Sequence, residues 1–475
     1  MRVLFVASEC YPLVKTGGLG DVVAALPPAL RRCGADVRLL LPGYPSVLDG
    51  VPDARPVWTV PDIPGGGAGI LLFGTGPDGV PVYVLQAPWL YERPGNPYVG
   101  PGGDWADNPQ RFAALSWAAA WLSGTDGGRR WRPDILHAHD WQTGLAPAYL
   151  ALSGRANRPG TIMTIHNIAY QGLADPELLT TLHLPAESFD VEGVEFYGHI
   201  GFLKAGLYYA DRITTVSPNY AREIQTLEGG WGLQGLLSGR RDDLSGIVNG
   251  VDAGIWNPMT DRHLAAPFGI ESLDARRANK AALLAETGLD DRLDAPLFAV
   301  VSRLTELKGF DLLLAALPYL IDRGGQLVVL GTGDPGLEDG FRAAAARWPG
   351  RVAAQIKFDE ALSHRIQAGA DVVILPSRSE PCGLIQLYAL AYGALPLVRR
   401  VGGLADTVKD GMTGFVFDHA SADDLVGAIG RAADLWWTDP AEWRVRQVAG
   451  MAEDWSWSRS AADYMALYQA LFPSV

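Results

Sequence analysis

The first half of the chain alternates short, nearly continuous apolar runs with longer segments of helical period. "VLFVAS", "DVRLLLP", "VPVYVLQA", "DILHAHD", "TIMTIHN" and "RITTVS" read as strands, and 18–33, 107–123, 143–153 and 199–210 as helices between many of them. Strands that are apolar nearly throughout need cover on both faces, which parallel strands flanked by helices provide. Around 226–246 the rhythm breaks into a glycine-rich, charged stretch, so a domain boundary is expected near 245–260. The alternation then resumes with "LFAVVSR", "QLVVLGTG", "RVAAQIKF", "DVVILPS" and "LPLVRR", interleaved with helices expected at 309–323, 337–348, 363–369 and 383–392. The pattern predicts an α/β protein of two doubly wound domains in tandem, 1–248 and 249–456, with a cleft between them. Ligands in such sheets bind beyond the carboxyl ends of the strands. A last helical segment, 457–475, could pack on either domain by its pattern alone; packing back on the N-terminal domain is the expectation. Two glycine- and proline-rich stretches, 61–79 and 92–109, read as loops long enough to be functional or mobile.

Composition narrows the class. The 475 residues are 48% hydrophobic and only 19% charged, which suits compact domains and not disorder. No apolar run approaches the roughly 18 to 20 residues of a membrane span, and "MRVLFVASE" reads as a core strand and not a leader, so the default location is the cytoplasm. A formal net charge of −14, without any basic run, argues against nucleic acid and anionic membrane as partners. Cys10, Cys33 and Cys382 are too scattered for a disulfide framework and are expected to be reduced and mostly buried.

Candidate chemistry falls at strand ends. "KTGGLGDV" follows the first strand and opens a helix, where unpaired backbone N–H groups and the helix dipole attract an anion; Lys15 adds a charge, and Gly17 and Gly18 allow close approach. It is neither a Walker A loop nor GxGxxG, and a plain strand-to-helix turn stays open. In "SRLTELKGFD", Arg303 and Lys308 stand in one loop, able to converge on a diphosphate or to be two surface cations. "PSRSEPCGL" puts Glu380 before a turn into a helix, so that the Gly383 and Leu384 amides face an anion while the carboxylate meets hydroxyls or positive charge. Cys382 reads as a small buried residue there, since no histidine is placed near it as a base. "RVGGLADTV" is a further Gly-Gly turn. His137, His139 and Asp140 in "DILHAHDW", with His166 in "TIHNIAYQG", allow a metal-dependent hydrolase reading beside a structural or sugar-binding one. In "ERPGNPYVGPGGDWADNPQRF", Tyr98 and Trp105 among Asp104 and Asn108 are expected as exposed aromatics suited to a sugar, or as a structural loop.

Taken in order, "KTGGLGDV", "RPGNPY", "HAHDWQTGLAP", "TIHNIAYQG", "VSRLTELKG", "SHRI", "SRSEPCGL" and "VGGLADTV" resemble the bacterial glycogen synthases, ADP-glucose-dependent glucosyltransferases related to plant starch synthases. Each motif is modest, and the ordered set is specific. The resemblance implies the GT-B architecture, two Rossmann-like domains facing each other across a deep cleft, and metal-free retaining transfer of glucose from ADP-glucose to an α-1,4-glucan such as glycogen, with no cofactor. It assigns Lys15, Gly17, Gly18, Arg303 and Lys308 to the donor diphosphate. Glu380 with Cys382, Gly383 and Leu384 would hold the glucosyl and phosphate groups, His166 and Asp140 the sugar site, and Tyr98 with Asn167 the acceptor side. Two departures stand out. Phe358-Asp359-Glu360 replaces the Tyr-His-Glu often found beside the adenine, keeping a ring for stacking but losing a hydroxyl. Tyr388 occupies the position, eight residues after Glu380, of a second glutamate in the wider retaining class. A non-catalytic sugar-nucleotide-binding protein on the same fold is the other reading of these residues.

Overall fold

A computed structural model describes residues 1–124 and 131–472; the last three residues of the expected 457–475 helix lie outside them. The chain divides into two compact units, one formed by Met1–Gly250 with Trp457–Val475, the other by Val251–Ser456.

The first unit is built on a nine-stranded sheet. In chain order its strands are β1 (Arg2–Val6), β2 (Asp36–Pro42), β3 (Arg55–Val60), β4 (Gly69–Thr75), β5 (Pro81–Gln86), β6 (Ile135–His139), β7 (Gly160–Ile165), β8 (Arg212–Thr215) and β9 (Leu244–Gly246). Across the sheet they run β9-β8-β7-β6-β1-β2-β5-β4-β3. All neighbours from β9 to β5 pair parallel, and β4 and β3 extend the edge antiparallel. The central strands are buried on both faces, as their uninterrupted apolar runs require. β4 lies inside the stretch 61–79 that the sequence presents as a loop: Gly69 and Gly74 tolerate close neighbours, and hairpin pairing to β5 supplies the order that the glycines deny locally. The 92–109 stretch likewise contains a small hairpin, Val99–Gly100 with Gly103–Asp104. The helix expected at 199–210 starts only at Phe202, because His199–Gly201 pairs in a separate small sheet.

The helix Trp457–Leu471 belongs to this first unit. Its buried face, Trp457, Ser460, Ala461, Tyr464 and Tyr468, recurs at three- and four-residue spacing and lies beside the helix Gly18–Arg32. Ser460 Oγ donates to the Val248 carbonyl at 2.7 Å.

The second unit carries a six-stranded, all-parallel sheet of β10 (Leu297–Val301), β11 (Gln326–Leu330), β12 (Val352–Gln355), β13 (Val372–Leu375), β14 (Leu395–Arg399) and β15 (Phe415–Phe417). Its order is β12-β11-β10-β13-β14-β15. Apolar side chains fill both faces, Phe298, Val300 and Phe310 on one, Leu297, Ala299 and Leu375 on the other.

Both sheets therefore reverse direction of growth once, between β1 and β6 in the first and between β10 and β13 in the second. Loops leaving the two strands at such a point diverge to opposite sides and open a crevice. The candidate residues cluster at these two places.

Candidate active site

At the crevice of the second unit, the loop after β10 brings Lys308 against Glu380 from the loop after β13. Lys308 Nζ lies 2.6 Å from Glu380 Oε2, with the side chains 21% and 11% exposed. Ser377 Oγ donates to the same carboxylate oxygen at 3.0 Å. Arg378 is drawn away by a two-pronged bond to Asp311, both contacts 2.7 Å, and Arg399 donates to the Ser377 and Arg378 carbonyls. These anchors fix the Glu380 loop from behind and leave its carboxylate to Lys308.

Glycines close the arrangement. Gly309, immediately after Lys308, has φ of +72°, and a Cβ there would stand 2.0 Å from the Pro376 carbonyl oxygen. The two loops thus touch through backbone, which only glycine permits. Gly309→Ala combines left-handed strain with a backbone clash and is expected to cost about 2 to 3 kcal/mol of stability. Urea unfolding measures this, and an unchanged midpoint would show that the loops separate freely. The Gly-Gly turn of "RVGGLADTV" has the same purpose, since a Cβ on Gly402 or Gly403 would run into the carbonyl of Glu380 or Cys382.

The other residues expected here are distributed unevenly. Arg303 shares the Lys308 loop and is exposed, without an ion pair among the described residues. Cys382 is buried, and Gly383 and Leu384 lead into the helix Ile385–Ala391. Gln386, which the sequence did not single out, donates back to the Cys382 and Gly383 carbonyls at 3.1 and 2.9 Å and locks that turn. Phe358 is 86% exposed beyond β12, while Asp359 caps the next helix by accepting from the Leu362 amide. Tyr388 stacks on Trp256 at 3.8 Å between ring centroids.

In the first unit, the Lys15 loop differs from an open anion cradle. A buried carboxylate, Glu9, accepts from the Thr16 amide at 2.6 Å, the Gly17 amide at 3.2 Å and the Thr16 hydroxyl at 2.6 Å. Lys15 Nζ pairs with Asp21 at 2.7 Å, both partly exposed. At Gly17 and Gly18 an added Cβ would meet nothing within 4 Å, so neighbouring protein atoms do not impose glycine there. Tyr98, expected as an exposed sugar platform, turns its hydroxyl inward: it donates to Glu9 Oε1 at 2.5 Å and lies 2.8 Å from Ser8 Oγ. Burial and the Glu9 charge push its pKa well above the ordinary tyrosine range. Asn108 is buried as well, donating to the Tyr98 carbonyl at 2.9 Å, and Arg111 ties the Leu90 and Pro97 carbonyls to the following helix. Glu9 thus gathers the Tyr98 hydroxyl together with the Thr16 and Gly17 donors at the end of β1. Glu9 gives no sequence signal beyond being one acidic residue at the end of an apolar strand.

Across the switch point, β1 and β6 are in register from Val3↔Ile135 to Val6↔Ala138, so Glu9 and Asp140 emerge on the same edge. Asp140 has φ of +55° and is buried. Its Oδ1 accepts from the His166 amide at 2.7 Å and the Asn167 amide at 3.4 Å. Burial raises its pKa to about 7; the two amides oppose the shift and the Glu9 charge adds to it. His139 Nδ1 lies 3.0 Å from His166 Nε2, and His137 bridges Tyr468 and Thr164 at 2.8 and 2.6 Å. Burial holds all three imidazoles below the usual histidine range, His166 down to about 3. The imagined His-x-His metal pair is instead a hydrogen-bonded pack, and among the described residues no cluster of three or more metal-ligating side chains is found. Of the cysteines, Cys10 is buried like Cys382 but Cys33 is exposed. Among the described residues no helix is long and apolar enough to cross a membrane.

Two doubly wound units, each with charged and hydrogen-bonding groups at its switch point, have the build of the GT-B glycosyltransferases, and the family matches place the chain in that class. Residues 2–239 match the model of the starch synthase catalytic domain, and 288–444 that of glycosyl transferases group 1. Over the whole chain and 98% of its relative, the sequence is 54% identical to glycogen synthase 2 of Bradyrhizobium diazoefficiens; it is 52% identical to a glycogen synthase of Rhodopseudomonas palustris, covering 99% of each. Among solved structures, the catalytic domain of starch synthase IV from Arabidopsis thaliana, bound to ADP and acarbose, superposes with a TM-score of 0.87 at 34% identity, covering 99% of both chains. The chain belongs to the glycogen synthase family.

Proposed function

We propose that this protein transfers glucose from ADP-glucose to the non-reducing 4-hydroxyl of an α-1,4-glucan, with retention and release of ADP, in the cytoplasm and without a metal ion. The observation that carries the reading is the Lys308–Glu380 pair at the switch point of the second unit. It holds an ammonium, in a partly desolvated loop, at the end of the sheet where a sugar nucleotide binds in this fold.

The step breaks the bond between glucose C1 and the diphosphate oxygen and forms one between C1 and the acceptor oxygen. Negative charge grows on the leaving phosphate, and Lys308 with the unpaired Arg303 stabilises it; Lys15, carried by a loop whose glycines leave open space, is assigned to the donor on the family resemblance. The departing phosphate oxygen takes the acceptor's proton on the face it leaves, which retains configuration without the nucleophilic carboxylate of a retaining glycosidase. Glu380 holds Lys308 in position and offers its other oxygen to glucosyl hydroxyls. His166 and Asp140 are assigned to the sugar, and Tyr98 and Asn167 to the acceptor side. Cys382, Gly383 and Leu384 shape the phosphate turn, and Phe358 offers its exposed ring to the base.

Incorporation of labelled glucose from ADP-glucose into glycogen tests the assignment, with UDP-glucose as the competing donor. Transfer from ADP-glucose is expected to dominate and to persist after exhaustive chelation. Binding of the donor without transfer would favour a non-catalytic protein, and activity lost on chelation and restored by metal would favour the hydrolase reading.

A further inference from the structure

We propose that His139 is a positioning residue that holds His166 in the tautomer carrying its proton on Nδ1. His139 is fully buried, and its Nδ1 lies 3.0 Å from His166 Nε2. With both rings neutral, one proton lies between these two nitrogens. The other nitrogen of His139, Nε2, is buried without a hydrogen-bond partner. If it carried the proton, an N–H would be stranded in the interior, which is rarer and more costly than a bare acceptor. The proton therefore belongs on His139 Nδ1 and is donated to His166 Nε2. His166 then keeps its own proton on Nδ1, which makes no hydrogen bond among the described residues. The His139 ring packs against those of His137 and Phe5, tilted to each with centroids 4.2 and 4.5 Å away. His137 is fixed in turn by Tyr468 Oη and Thr164 Oγ1.

The consequence is chemical. A half-buried, neutral imidazole of fixed tautomer presents one N–H donor and no competing acceptor, so it selects an oxygen lone pair. Where His166 lines the sugar site, as the proposed function has it, that oxygen is a hydroxyl of the bound sugar. Because burial keeps His166 neutral, the imidazole offers this N–H as an uncharged donor.

The full-length protein labelled with ¹⁵N-histidine tests this by long-range ¹H–¹⁵N correlation, with the His166 signals assigned by their loss in His166→Gln. Nδ1 of His166 is expected to be the protonated nitrogen and Nε2 the bare one; the opposite pattern overturns the proposal. His139→Asn retains an amide N–H near the position of Nδ1 and is expected to keep the His166 tautomer and most of the turnover. His139→Leu removes the donor, so the His166 tautomer is expected to change and kcat to fall by about tenfold or more. An unchanged tautomer in folded His139→Leu would also overturn it. The wild-type spectrum decides even if the leucine variant fails to fold. It needs no turnover, so its failure is separable from absence of glucosyl transfer.

Discussion

Lys308→Ala is expected to lower kcat by about 10² to 10³, a loss of roughly 2.7 to 4 kcal/mol of transition-state stabilisation, measured at saturating donor. Breaking the bond to diphosphate places new negative charge beside the one ammonium that the second unit holds at its switch point, pinned at 2.6 Å from Glu380. Ser377 and the backbone contact at Gly309 keep that pair from drifting. Removing the lysine has a second effect, since Glu380 is left with only the Ser377 hydroxyl as a side-chain partner in a partly dry loop. Lys308→Ala with Glu380→Gln separates the two: the double variant should regain thermal stability but not turnover. Near-wild-type kcat in Lys308→Ala would remove the foundation of the proposed mechanism.

Asp140→Asn is expected to stabilise the protein, and only on the alkaline side. The carboxyl titrates near 7 in the folded chain because it is buried, against 3.8 when exposed. Between those values the folded state holds a proton that the unfolded state has released, so stability falls as pH rises through this window. Above about pH 7 the whole penalty of about 4 kcal/mol is present, and below about pH 4 none of it is. Asparagine presents the same Oδ1 to the His166 and Asn167 amides, is the same size and carries no charge. Urea midpoints should therefore diverge between the two chains as pH rises from about 4 to about 7 and run parallel above that. Midpoints parallel throughout would mean that water or a neighbouring group already relieves the buried carboxylate. Turnover should fall in the same variant, since the charge is then strain held for the sugar site.

What the sequence made legible follows burial. β1, β6, β7, β10, β11 and β13 are covered on both faces, so their apolar runs are continuous and stand out. β3 is largely exposed and β4 is flanked by glycines; β3 owes its strand form to pairing with β4, and β4 to pairing with β5, which local pattern does not encode. At the site, the loops carrying Lys308 and Glu380 could be found because each follows a recognisable strand. That Tyr98 would turn inward could not, because its partner Glu9 is 89 positions away in sequence. Gly402 and Gly403 read locally as a turn before a helix, and only the neighbouring carbonyls of Glu380 and Cys382 show why no side chain fits.

The membership of Trp457–Leu471 in the first unit bears on how the protein is made. A ribosome delivers β1 to β9 first, then the whole second unit, and only afterwards the helix whose Tyr468 hydroxyl meets His137. Until then the buried imidazole of a central strand lacks one partner and the helix Gly18–Arg32 lacks its cover. The second unit, continuous in sequence from Val251 to Ser456, has all its strands before the first one is complete. A released chain ending at Ser456 should therefore show a protease-resistant second unit beside a loose first one, so that maturation runs opposite to the order of synthesis.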